Sequence, residues 1–238
     1  RNNLGFRVSK KDKSVNNPDI VFVGGSTTNQ KFLNYEETIV GSLQKRLKKL
    51  KILNAGIDGV SILGHINSFE LWFDKINNFN PKYYVFYIGI NDQSNLQQNN
   101  KISNVDFLIE SSFKSNLKSY YKSNSFFYIN FRKLKSLLYL KTGNDLFLNI
   151  VNDGTVVYGE RSKTTFEKYS KFENSSLKYE TNEHYENFLI ELTNKVKERN
   201  SEIIYITQIS GTGMNRNLYI IANTILSHCK NYKLNCIN

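Results

Sequence analysis

The stretch Ile20-Val21-Phe22-Val23-Gly24-Gly25-Ser26-Thr27-Thr28 decides how the rest of the chain is read. Four β-favouring apolar residues, Ile20–Val23, read as a short strand, with Asn17-Pro18-Asp19 as the turn before it. The two glycines that follow let the backbone turn sharply and leave the Ser26 hydroxyl exposed. Working outward, Lys51–Asn54 reads as a second strand. Tyr83–Ile88 is nearly continuous apolar and aromatic, as expected of a buried central strand. Between the first two strands, Ile39, Val40, Leu43, Leu47 and Leu50 recur at helical spacing, with Asn34 and Glu37 as an N-cap pair before them. Ile62, Ile66, Phe69, Phe73 and Ile76 mark a second helix that ends before Pro81. Later come a helical stripe over Tyr185, Phe188, Leu189, Leu192 and Val196, a strand Ile203–Thr207, and a helix over about Leu218–Cys229. A last strand starts at Asn235-Cys236-Ile237-Asn238. Strands that alternate with helices predict an α/β fold with a parallel sheet covered by helices.

Two further turns deserve the same reading as Gly25-Ser26. Asn54-Ala55-Gly56-Ile57-Asp58-Gly59 follows the second strand, and Gly89-Ile90-Asn91-Asp92 follows the third. Each alone is ambiguous. Gly-Gly-Ser-Thr could cradle a phosphate, although it lacks the lysine and spacing of a P-loop. The Gly59 turn could be an ordinary strand-to-helix connection, and Asn91 or Asp92 could cap backbone groups. Their placement is the stronger signal, because ligands of open parallel sheets bind beyond the carboxyl ends of the strands.

Gly-x-Ser after the first strand, Asn-x-Gly-x-x-Gly after the second and Gly-x-Asn-Asp after the third together resemble the first three sequence blocks of the SGNH (GDSL-like) hydrolase superfamily. The Gly-Gly-Ser-Thr-Thr form is similar to a branch associated with cell-surface polysaccharide modification. Asn3-Leu4-Gly5-Phe6-Arg7 resembles the leader of membrane-anchored members of that branch. The match covers about residues 3–92, and Ile203–Asn238 in general layout. The resemblance implies a flavodoxin-like three-layer sandwich and a serine esterase acting on an acyl ester, acetyl among the candidates, of a carbohydrate, cell-surface glycan or small molecule. It implies Ser26 as nucleophile, with the backbone N–H groups of Ser26 and Gly59 and the side chain of Asn91 as oxyanion donors.

A serine needs an adjacent base. The family supplies one from a late Asp-x-x-His, and no such pair follows Ile203 here. The expectation is that the base lies beyond Asn238 in a longer protein. Of the three histidines, His228 sits near a helix end on the far edge of the sheet, whereas His65 and His184 begin helices on the active edge and are the substitutes to test. An O-acyltransferase would use the same serine and oxyanion donors. A non-catalytic glycan-binding domain on the same fold is the reading from another class.

The remaining features bound these readings. At 238 residues, one SGNH-like domain is expected, with the poorly patterned stretch of about 93–180 as an insertion or cap carrying a helix near Phe131–Leu140 and a strand at Thr155–Tyr158. The net charge of +11 is spread along the chain, and its densest run, Lys45, Arg46, Lys48, Lys49 and Lys51, reads as the solvated face of the first helix rather than a nucleic-acid site. Cys229 and Cys236 read as packed thiols, with a disulfide as the minority option. No cofactor fingerprint or metal cluster is present, and the chemistry needs neither. The chain opens on Arg1 rather than Met, so an upstream membrane anchor and a bacterial extracytoplasmic or periplasmic location are expected from the leader resemblance.

Overall fold

The computed structural model describes residues 1–9, 18–93, 96, 169–209 and 214–238. Over these residues the strands are β1 (Ile20–Gly24), β2 (Ile52–Asn54), β3 (Tyr83–Tyr87), β4 (Glu202–Ile206) and β5 (Asn235–Ile237). The helices are α1 (Ser26–Asn29), α2 (Ile39–Arg46), α3 (Ile62–Leu71), α4 (Glu183–Lys197) and α5 (Arg216–Tyr232). The strands pair in parallel in the order β2-β1-β3-β4-β5. This is a doubly wound order, as the flavodoxin-like expectation requires. The chain runs outward from β1 to β2, then crosses back to β3, so the connections after β1 and β3 leave on opposite faces and open a crevice between them.

Side-chain alternation assigns the two faces. Val21, Val23, Tyr84, Phe86, Ile203 and Tyr205 point into a core shared with α3, α4 and α5. Phe22, Val85 and Ile52 point the other way, against Val40 and Leu43 of α2. The sheet is thus a layer between helices, a three-layer α/β sandwich. Side-chain caps fix the helix starts: Thr38 accepts from Gly41 N, Asn182 from Tyr185 N and Asn215 from Leu218 N.

The amino-terminal segment is part of this core. Phe6 is fully buried and stacks on Trp72 and Phe79, with ring centroids 4.6 and 5.5 Å away. Trp72 Nε1 donates to Leu4 O, and Arg7 forms an antiparallel bridge to Asn54 at the end of β2.

Three expectations need correction. Asn34 and Glu37 do form a capping box, but on the 3-10 turn Tyr35–Glu37; α2 starts after its own cap, Thr38. The helix also stops at Arg46. Gln44 ends it by donating to Leu50 O and accepting from Ile52 N, which turns the chain into β2. Lys48, Lys49 and Lys51 therefore sit on that turn, exposed, and not on the helix. Finally, Cys229 and Cys236 are not free thiols but a disulfide. Lys233 adopts the left-handed conformation after α5, which reverses the chain into β5 and brings the two Cα atoms to 6.2 Å, within disulfide range.

The expected insertion lies outside the described residues between 97 and 168, including the helix near 131–140 and the strand at 155–158. Its carboxyl flank is described: Tyr169, Phe172 and Leu177 pack against Met214, Leu218 and Tyr219 around the start of α5.

Candidate active site

All three turns lie at the carboxyl edge of the sheet, around the crevice between β1 and β3. After β1, Gly25 O accepts from Thr28 N and Asn29 N, so α1 is a single turn whose first residue, Ser26, is solvent-exposed. Gly25 itself is buried. A methyl group on it would collide with the side-chain nitrogen of Asn91, so the Asn91 amide lies against the backbone immediately before Ser26. That amide also donates to Val60 O at 2.8 Å, one residue past Gly59. Asn91 therefore touches the other two turns at once. An amide nitrogen carries two N–H groups, and Val60 uses one of them.

Gly59 is exposed with φ +76°, a left-handed conformation, and a β-carbon there would meet nothing within 4 Å. Behind it, fully buried Asn54 donates to Thr28 O and accepts from Gly56 N, both at 2.9 Å. The second turn is in this way tied to α1. Asn29 at the end of α1 donates to Asp58, which also pairs with Lys31 at 2.7 Å. Arg1 donates to Asn29 Oδ1 and Gly56 O, and Arg7 donates to Asn29 O and Leu33 O. The amino-terminal segment thus braces the back of the first two turns.

Asp92 caps a helix, as one reading of its turn allowed. Its Oδ1 accepts from Ile62 N at 2.8 Å and its Oδ2 from the Tyr185 hydroxyl at 3.2 Å, joining the third turn to the starts of α3 and α4. Burial pushes this carboxyl up to about 6, against the opposing effect of both hydrogen bonds.

The histidines divide as follows. His228 is fully buried in α5, with Nε2 at 2.9 Å from Thr193 Oγ1, and burial lowers its pKa to about 4. His65 points into the core, edge-on to Phe86, and burial lowers it to about 4 as well. Both are therefore neutral at physiological pH. His184 is exposed and packs edge-on to Phe188, with ring centroids 4.7 Å apart. Among the described residues, no hydrogen bond joins a histidine to Ser26.

Sequence reasoning missed Gln208. It lies two residues beyond β4 and is almost completely buried. Its amide bonds to Thr27 Oγ1, Tyr87 O and Ile90 N, reaching the first and third turns. The available signal was its position, a polar residue just past a strand end on the active edge. Among the described residues, no three His, Cys, Asp or Glu side chains converge as a metal site, and no helix is long and apolar enough to cross a membrane.

No family model matches the chain, and no curated protein matches it in sequence. Solved structures do resemble it. The SGNH-hydrolase family esterase AlinE4 superposes with a TM-score of 0.48 at 10% identity, over 94% of this chain and 77% of that one. A member of the lipolytic G-D-S-L family from Veillonella parvula gives 0.48 at 12% identity, over 92% and 76%. A variant acetyl xylan esterase from Geobacillus stearothermophilus gives 0.46 at 14% identity, over 93% and 76%.

Proposed function

We propose that this chain is a serine ester hydrolase with Ser26 as nucleophile. The observation that carries the reading is the seat of Asn91, a side-chain donor pressed on the backbone of the Ser26 turn and held there by Val60 O. The reaction would begin with Ser26 Oγ attacking the ester carbonyl carbon while its proton passes to a base. Negative charge then develops on the carbonyl oxygen. The N–H groups of Ser26 and Gly59 and the second N–H of Asn91 stabilise it without reorganising, which is where such sites gain most of their rate. Collapse expels the alcohol, which takes its proton from the base, and water resolves the acyl-enzyme. The base in this reading is a histidine delivered to the same edge by sequence beyond β5. The substrate is an acyl ester, acetyl by preference, on a carbohydrate; this follows from the resemblance of Gly24–Thr28 and the leader to the polysaccharide-modifying branch. A sugar hydroxyl in place of water would make the same site an O-acyltransferase.

A non-catalytic glycan-binding domain is the second reading, favoured by the lack of any histidine hydrogen-bonded to Ser26 among the described residues. A fluorophosphonate probe separates the two. The hydrolase reading expects covalent labelling of the intact protein, mapped to Ser26 and abolished in Ser26→Ala. No labelling, with glycan binding retained in Ser26→Ala, establishes the binding domain instead. Acetyl release with and without an acceptor sugar then distinguishes hydrolysis from transfer.

A further inference from the structure

Among the described residues at this edge, Gln208 makes three buried side-chain hydrogen bonds that the proposed chemistry leaves unused. The side chain comes from the segment after β4, on the far side of β3 from Ser26, and is only 2% exposed. Nε2 donates to Thr27 Oγ1 at 2.7 Å and to Tyr87 O at 3.2 Å, and Oε1 accepts from Ile90 N at 2.6 Å. The orientation of this amide is fixed by its partners. Tyr87 O can only accept and Ile90 N can only donate, so a flipped amide would lose both bonds. Both N–H groups of the amide are therefore committed, and Thr27 Oγ1 must be an acceptor in its bond. Thr27 follows Ser26, and Ile90 precedes Asn91.

We infer that Gln208 is a positioning residue, a clamp that holds the nucleophile turn and the Asn91 turn at a fixed separation across the crevice. This rests on the ester-hydrolase reading for its consequence in catalysis, but its structural content does not. β3 ends at Tyr87, and the chain between there and Asn91 passes through Gly89 at φ +129°, a conformation that side chains oppose. The first turn likewise contains a one-turn helix ended by Gln30 in the left-handed region. Two such short, irregular segments have little order of their own, since a single helical turn is not stable alone. Gln208 joins both to β4, a strand of the sheet. An oxyanion donor only works when held close to its productive position, and misplacement by about 1 Å can cost on the order of a hundredfold.

The test uses the intact protein with Gln208→Met, which keeps the length of the side chain and removes all three hydrogen bonds, and Gln208→Glu. Amide hydrogen exchange is followed at Thr27–Asn29 and Ile90–Asp92, with Val85 and Ile204 as strand controls. The clamp expects exchange in Gln208→Met to rise tenfold or more at both turns, with the strands unchanged. Exchange unchanged at either turn, or a rise spread equally over the strands, overturns it. In parallel, fluorophosphonate labelling of Ser26 is expected to slow tenfold or more, and turnover of p-nitrophenyl acetate to fall in kcat with KM within twofold. If the wild-type protein takes up no probe, the hydrolase reading fails, and the clamp is still decided by exchange. Should Gln208→Met not fold, Gln208→Glu serves. Its ionised carboxylate can accept from Ile90 N and from the Thr27 hydroxyl, which turns to donate, but it meets Tyr87 O with no proton between them, whereas its acid form can donate there. Relative to wild type, its amide exchange at both turns should therefore fall as pH falls and the bond to Tyr87 O returns, and a flat ratio overturns the proposal.

Discussion

Asn91 and Gly25 have to be considered as a pair. Asn91→Ala removes one proposed oxyanion donor, and the expected loss is on the order of a hundredfold or more in kcat. Gly25→Ala leaves Asn91 in the sequence but puts a methyl group where the amide nitrogen now lies. If the Asn91 position matters, Gly25→Ala should lose activity comparably while far-ultraviolet dichroism stays native; steady-state kinetics on an activated ester checks both. A Gly25→Ala variant with wild-type turnover would remove Asn91 from the proposed mechanism. Asp92 makes a different residue-scale prediction. Its ordinary value is 3.8 and its value in the fold is about 6, so between these pH values the folded protein binds a proton that the unfolded chain has released. Stability contributed by this group is thus highest below about pH 4 and falls as pH rises to 6, by at most about 3 kcal/mol. Asp92→Asn can still accept from Ile62 N and still pair with the Tyr185 hydroxyl. The stability of Asp92→Asn relative to wild type should therefore rise between pH 4 and pH 7, and denaturant unfolding at both ends measures it. A difference independent of pH refutes the assignment.

At the scale of elements, the disulfide between α5 and β5 is the clearest prediction. Closing a loop of this size is expected to stabilise by about 2–3 kcal/mol in the chain-entropy account. Under denaturing, non-reducing conditions the protein should show no reactive thiol, and Cys236→Ser should unfold at lower denaturant. Two titratable thiols would restore the sequence reading. That reading failed here because the bond depends on one backbone conformation, the left-handed Lys233, which a lysine does not announce. The strands fared better. Ile20–Val23 and Tyr83–Ile88 are each marked by side chains within a few residues, and the structure ends them within one residue of where the apolar run stops. The turn motifs were legible for the same reason. What was not legible is whatever joins distant segments. Gln44 ends α2 by reaching into β2, and the bond of Gln208 to Ile90 spans 118 residues. Local periodicity carries no information about either.

For the molecule as a whole, the amino-terminal segment sets the outlook. Phe6 fills the aromatic cluster formed by Trp72, Phe73 and Phe79, so Phe6→Ala should cost about 3–5 kcal/mol in denaturant unfolding. A loss under 1 kcal/mol would mean that the segment is not seated as described. The same segment reaches the site through guanidinium groups, Arg1 on Gly56 and Asn29, and Arg7 on Asn29 and Leu33. This arrangement has a mechanical consequence. A load pulling on the amino end would be borne first by the bonds of Arg1, at the backs of the Ser26 and Gly59 turns, and only afterwards by the packing of Phe6 and by the sheet. Tension at that end would reach the crevice before it reached the fold, and a tether there would act as a lever on the two turns.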